Sequence, residues 1–318
     1  MTDNDEKKVM IREIVDFFGL EQCTGNEESL NRWVVIPDVN RPGFELSGYF
    51  KLTEPRRIVI IGNKEIEYIG HLTEDEQRGR FPAITDGLTP MLIITKNNEI
   101  PPVLKQVAIE RNFPIFRTKS DTYRMMVDLI TFLDERLAPE ETLSGDLMVV
   151  YGKGVLITGE SGMGKSEIAM ELVRDGQVLV ADDRVDVQKI HNVLYGHAPK
   201  LLRGMLEIRG IGIIDVERMF GANSLVKRNK IDIVINLVRY DASEEYERIG
   251  DEMTSFTRIM GVNIPAMSLP VSPGRSMRAL IETAVSNFIL KQEGYNSTEE
   301  FKARLHAEIL RKNQDGGY

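Results

Sequence analysis

"VLITGESGMGKSE", Val155 to Glu167, sets an apolar run, a glycine-rich turn and a lysine in one line. The apolar run reads as a strand, and the following "KSEIAMELVRDG" reads as an amphipathic helix. Between them, Gly159-x4-Gly164-Lys165-Ser166 fits the pattern G-x-x-x-x-G-K-[ST]. Glycines let the backbone curl until several N–H groups converge on phosphate oxygens. The helix adds the positive end of its dipole. Lys165 neutralises the phosphate being transferred, and the Ser166 hydroxyl can ligate Mg2+. The expected nucleotide-binding residues are therefore Gly159, Glu160, Ser161, Gly162, Met163, Gly164, Lys165 and Ser166. By itself this pattern says only that a phosphate or nucleotide binds.

The next strand is more informative. "VLVADD" delivers Asp182 and Asp183 at the carboxyl end of an apolar run, the usual ligand side of an α/β sheet. Adjacent carboxylates repel, so buried ones need a metal, a lysine or a proton. One acid can organise Mg2+ water while the other takes a proton from an attacking hydroxyl. A polar turn with solvated acids is the competing reading. Further on, "LEIRGIGIID" is apolar, punctuated by glycine, and carries Glu207, Arg209 and Asp215. Glycine in such a run marks close approach of a ligand or backbone, and a buried strand with a bulge fits equally well. "LPVSPGRSM" reads as a Pro-Gly turn presenting Arg275 ahead of a helix. "KIDIVINLVRY" is a strand, and two helices close the chain, the last capped by Ser297 or Thr298 ahead of Glu300.

Upstream, short apolar strands alternate with helices: "WVVIPDV", "RIVIIG", "MLIIT" and "FPIFRT" are strands, and "PPVLKQVAIERN" is a helix. "VMIREIVDFFGL" is a helix ending at Gly19, and Pro42-Gly43 marks a turn. This rhythm predicts a small α/β domain without a catalytic constellation. In "DTYRMMVDLITFLDERLAP", residues Met126, Leu129, Ile130, Leu133 and Leu137 define the expected inward face of a helix stopped by Pro139 and the acids after it. The domain boundary is placed here: residues 1–134 form a regulatory or assembly domain and residues 135–318 the catalytic one.

Length supports two domains: 318 residues, 42% hydrophobic and 28% charged. A net charge of −9 argues against a nucleic-acid partner. Cys23 is the single cysteine and cannot form an internal disulfide. None of the four histidines has metal-binding spacing, so any metal should be a hard ion such as Mg2+. The N-terminal "MTDNDEKKVM" lacks an apolar signal core, and no run approaches the roughly 18 residues of a membrane span. The expectation is a cytoplasmic protein without a membrane partner.

Taken jointly, five stretches resemble the bacterial HPr kinase/phosphorylases: "NRPGFELSGYF" from Asn40, "YGKGVLITGESGMGKSE", "LVADDRVD", "LEIRGIGIID" and "PVSPGR". They occur in the family's order, and the resemblance covers nearly the whole chain. It implies ATP-dependent phosphorylation of a regulatory serine on HPr, the phosphocarrier of the sugar phosphotransferase system, and control of catabolite repression. It also implies removal of that phosphate by inorganic phosphate, yielding pyrophosphate. It implies a P-loop catalytic domain similar to phosphoenolpyruvate carboxykinase, a homo-hexamer, and fructose 1,6-bisphosphate and phosphate as effectors. In this sequence Lys165 matches the phosphate-binding lysine. Asp183 matches the general base of phosphorylation and general acid of phosphorolysis. Ser166 and Glu207 match Mg2+ ligands, and Arg248 matches an arginine holding the transferring phosphate. The segment Pro270, Val271, Ser272, Pro273, Gly274 and Arg275 matches one serving mainly dephosphorylation. Two departures stand out: Ser144 replaces the family's usual histidine in Leu143-Ser144-Gly145, and Ser272 replaces an arginine between two prolines. Both remove charge or titration near phosphate, so kinase activity should persist while phosphorylase activity weakens. A P-loop kinase for another protein or small molecule, and a nucleotide-dependent regulator without chemistry, are the alternatives.

Overall fold

The computed structural model describes residues 7–51, 56–240, 255–272 and 274–315, with side chains as far as Arg311. The chain divides into two compact units, Met1–Ala138 and Pro139–Tyr318.

In chain order the first unit holds β1 (Val9–Met10), α1 (Ile11–Phe18), β2 (Glu21–Gln22), β3 (Trp33–Val34), β4 (Val39–Asn40), α2 (Gly43–Ser47) and β5 (Ile58–Ile61). It continues with α3 (Asn63–Gly70), α4 (Glu74–Ile84), β6 (Leu92–Ile94), α5 (Pro102–Glu110), β7 (Ile115–Arg117) and α6 (Thr122–Leu137). Five strands form a sheet in the order β2-β7-β6-β5-β4, parallel except for edge strand β2. Both faces of the sheet are covered, which explains why its strands are continuously apolar rather than alternating. Ile58 and Ile60 face one core with Phe116 and Leu129, while Val59 and Ile61 face another with Leu104 and Phe113.

Helix α1 ends at Gly19 as expected, with φ 60°. In α6 the inward stripe is rotated from the expected one. Met125, Leu129, Phe132 and Leu133 are buried, while Met126, Ile130 and Leu137 are only partly covered. The Phe132 ring lies 4.6 Å from Phe17 and edge-on to Phe18 at 5.6 Å, so α1 packs on the rotated face. Pro42-Gly43 does more than turn the chain: it opens α2, whose buried Glu45 accepts a 2.9 Å hydrogen bond from Asn40.

The second unit begins with β8 (Glu140–Ser144), so the acids expected to stop α6 start an edge strand instead. It continues through β9 (Asp146–Val150), β10 (Lys153–Gly159), α7 (Lys165–Arg174), β11 (Val178–Ala181), β12 (Arg184–Ile190), β13 (Val193–His197), β14 (Met205–Ile208) and β15 (Gly212–Asp215). Then come α8 (Val216–Phe220), β16 (Asn229–Lys230), β17 (Ile233–Arg239), β18 (Ser255–Ile259), β19 (Val262–Val271), α9 (Met277–Gln292) and α10 (Ser297–Asp315). A mixed sheet runs β11-β9-β10-β17-β19-β18, with β10, β17 and β19 parallel at its centre. A second, antiparallel sheet runs β16-β13-β12-β8.

The two-residue period of β10 sorts its side chains between two cores. Val155 and Ile157 pack with Ile168 and Leu172 of α7 and Ile281 of α9. Leu156 packs with Val185 and Val187 of the antiparallel sheet. Each such fully buried aliphatic side chain stabilises the fold by about 1.5–3 kcal/mol. The layers are thus helices, mixed sheet and antiparallel sheet. At α10 the cap is Asn296, whose side chain accepts from the amides of Thr298 and Glu299, in place of the expected Ser297 or Thr298. Among the described residues no helix is long and apolar enough to cross a membrane.

Candidate functional site

Strand β10 delivers Gly159 at the centre of the mixed sheet, and the chain turns through Glu160–Gly164 into α7. Gly159 has φ 145°, and a Cβ there would lie 2.8 Å from the Leu237 carbonyl oxygen. The position therefore admits only glycine. Gly164, at φ 80°, precedes the first helical residue, Lys165. Met163 packs against the core beneath the loop, which holds the turn down. Lys165 Nζ donates to the carbonyls of Gly159 (3.0 Å) and Glu160 (3.3 Å), so its ammonium lies over the loop. Glu160 also pairs with Arg239 at the end of β17, 3.2 Å away. The Arg209 guanidinium lies close by Gly162.

Asp182 and Asp183 form the turn between β11 and β12, but they have opposite environments. Asp182 is 6% exposed; Asp183 is exposed. Asp182 is a hub: Oδ1 accepts from Ser166 Oγ at 2.8 Å, and Oδ2 accepts from the Glu207 amide at 3.0 Å. One carboxylate thus joins the P-loop helix to β14. Asp183 holds a left-handed backbone, φ 58°. Its amide donates to Asp146 Oδ1 (3.0 Å) and its carbonyl accepts from the Gly145 amide (3.0 Å). Clamped from both sides, the strained turn presents the Asp183 carboxylate to solvent.

Asp146 is a site residue that the sequence reading missed. It lies opposite Ile157 on β9, on the face that Met148 and Val150 share, where the period calls for an apolar side chain. It is fully buried, and no donor reaches its Oδ2. Loss of water is the largest effect on it, followed by the charge of Asp182; together they push its pKa up to about 8, against the pull of the Asp183 amide and of Lys165. Burial and the neighbouring Asp182 charge thus favour the protonated form of Asp146. The buried acid that feels the charge of Asp182 is therefore Asp146, on the neighbouring strand, and not the exposed Asp183. The signal for it was the single acid that opens the apolar run "DLMVV".

The remaining expected residues lie around this centre. Glu207 is exposed on β14, and Ser144 is exposed at the end of β8, paired with Arg184. The "LEIRGIGIID" stretch is not a buried strand. It is a hairpin, β14–β15, turning at Gly210 (φ 84°), with Ile211 71% and Ile213 72% exposed. Pro270 and Val271 end β19 beside Val238 and Arg239 of β17, one and two rows beyond the row that Leu269 and Leu237 share with Gly159. Ser272 accepts from the amide of exposed Arg275 (3.4 Å), and Gly274 has φ 83°. Arg248 and Pro273 lie outside the described residues. A cavity of about 490 Å³ lies beside Ser144, lined also by the polar side chains of Thr158, Asn236, Ser255, Thr257 and Ser268.

Among the described residues, no cluster of three or more His, Cys, Asp or Glu side chains could hold a metal alone. This donor set fits a Mg2+ ion, which keeps several waters and uses few protein oxygens together with substrate phosphates. Ser166 and Glu207, both tied to Asp182, are the candidate holders.

Comparison with known proteins gives two family matches that together span most of the chain. Residues 9–133 match the "HPr Serine kinase N terminus" family, and residues 135–305 match the "HPr Serine kinase C-terminal domain" family. The chain is 39% identical over 307 residues to the HPr kinase/phosphorylase of Bacillus pumilus, covering 96% of this chain and 98% of that protein. It is 38% identical over 309 residues to the HPr kinase/phosphorylase of Geobacillus thermodenitrificans, covering 97% and 99%. Among solved structures, the Hpr(Ser) kinase/phosphatase from Coxiella burnetii is 37% identical, with a TM-score of 0.46, over 51% of this chain and 98% of that one.

Proposed function

The chain belongs to the HPr serine kinase family, and from that premise we propose that it transfers the γ-phosphoryl group of ATP to a regulatory serine of HPr. It also returns that phosphate to inorganic phosphate, giving pyrophosphate, and so takes part in catabolite repression in the cytoplasm. The observation that carries the reading is the exposed Asp183 carboxylate, clamped by Asp146 and Gly145 on a turn whose other acid touches the P-loop helix.

The P-loop amides from Gly159 to Ser166 bind the donor phosphates, and Lys165 leaves its carbonyl partners to neutralise the group in flight. Mg2+, when bound, supplies positive charge to the phosphate oxygens; Ser166 and Glu207 would hold it, with Asp182 orienting both. Asp183 takes the proton of the serine hydroxyl as its oxygen attacks phosphorus. In the opposite direction Asp183 returns that proton to the serine oxygen while phosphate attacks phosphoserine. Arg248 and the segment 270–275 are assigned to phosphate handling, the latter in dephosphorylation. Ser144 and Ser272 supply neither charge nor titration, so phosphorolysis is weakened while phosphorylation is retained.

Homo-hexamer assembly and response to fructose 1,6-bisphosphate and phosphate belong to the same proposal. Light scattering and effector titrations of both activities check them. The central test is Asp183→Asn with labelled ATP and HPr. Transfer should fall by about 10²–10⁴-fold with nucleotide binding retained. Undiminished transfer would remove the assigned base. Labelling of an HPr lacking its regulatory serine would point to another acceptor, and binding without transfer by the unaltered chain would indicate a regulator.

A further inference from the structure

The first unit contains a cavity that the phosphotransfer site does not use. It measures about 300 Å³, the small end of the range of roughly 300–1,000 Å³ for ligand pockets. Lys8, Arg32 and Arg56 line it together with Trp33, Val35 and Leu88, and no carboxylate is among its described lining residues. The chain as a whole carries a net charge of −9, and three cations line this one cavity.

None of the three forms an ion pair with a described residue. Lys8 Nζ lies over the Trp33 ring, 5.0 Å from its centroid. Arg32 is partly buried and packs on Phe113, 5.1 Å away. Its Nη1 donates to the carbonyls of Asp86 (3.4 Å) and Thr89 (2.7 Å), which fixes the guanidinium and leaves its other nitrogens without a described partner. Asp86 is the nearby counter-charge, but its Oδ1 is engaged by the amides of Leu88 and Thr89. A fixed, partly desolvated guanidinium flanked by two exposed cations and one aromatic wall is a receptor for oxyanions.

We propose that this cavity binds a small organic anion with at least two negative charges, of phosphate or polycarboxylate type. The inference is independent of the phosphotransfer reading. Trp33 is the chain's single tryptophan, so its emission reports this cavity directly. The test titrates full-length protein, free of nucleotide and metal, with pyrophosphate and separately with citrate. A saturable emission change with either probe is expected, weakening as salt rises.

Lys8→Ala and Arg56→Ala remove exposed side chains and should each raise the apparent Kd about 2- to 5-fold, and the double variant roughly 10-fold. Lys165→Ala should leave the titration unchanged, which separates this cavity from the P-loop. A response to pyrophosphate alone identifies phosphate chemistry, a response to citrate alone identifies carboxylate chemistry, and both support the site. No saturable change, identical affinity in the double variant, or loss of the response in Lys165→Ala would overturn it.

Discussion

Replacing Asp146 by asparagine should stabilise the second unit at neutral pH, increasingly so as pH rises. Burial and the Asp182 charge move the Asp146 pKa from 3.8 to about 8 in the folded protein. Below about pH 4 the folded and unfolded chains both hold this proton. Between about pH 4 and 8 only the folded chain holds it, so this group lowers stability by about 1.4 kcal/mol for each pH unit gained. Above about pH 8 the loss stops growing. Asparagine does not titrate and still offers Oδ1 to the Asp183 amide. The stability gap between variant and wild type should therefore widen by about 1.4 kcal/mol per unit, or roughly 3–6 °C in Tm for a unit of this size. Calorimetry at pH 5.5, 6.5 and 7.5, without nucleotide or metal, measures it. A gap that stays constant across those three values would refute a protonated Asp146.

Three further outcomes are expected. Asp182→Asn should weaken Mg2+ dependence of the kinase reaction about 10–100-fold, read as a shift in the metal titration, because it alters the orienting partner of both Ser166 and Glu207. Gly159→Ala should cost more than about 1 kcal/mol and abolish nucleotide binding by calorimetry, since its Cβ would meet the Leu237 carbonyl at 2.8 Å. Ser144→His combined with Ser272→Arg should raise pyrophosphate release from phosphoserine-HPr while leaving phosphorylation nearly unchanged; a full rate in the unaltered chain would remove the reasoning behind both departures.

The P-loop was legible because its chemistry is local: glycine spacing, one lysine and one serine determine what the loop can bind. The strands were legible for a similar reason, since continuous apolar runs bounded by glycine admit few alternatives. The rotation of α6 was not, because the face it buries meets α1 and the sheet, whose residues lie far away in the sequence. The hairpin at 206–215 looked buried because its composition is apolar, and only the turn at Gly210 shows that its second strand faces outward. Asp182 and Asp183 were both visible as acids, but their division of labour depends on Asp146, Ser166 and the Glu207 amide. Those partners converge only when the sheet is assembled.

That hairpin separates two kinds of change open to this enzyme over time. Its tip, Arg209 to Ile213, is fully solvent-facing, while its base is fastened to Asp182 through one amide. Ile211 and Ile213 at the tip can be exchanged without disturbing a buried contact, whereas Arg209 stands beside Gly162. At the base the backbone is held by the buried Asp182 through the Glu207 amide. Sequence change at the two exposed isoleucines therefore leaves the hydrogen bond between Asp182 and the Glu207 amide where it is.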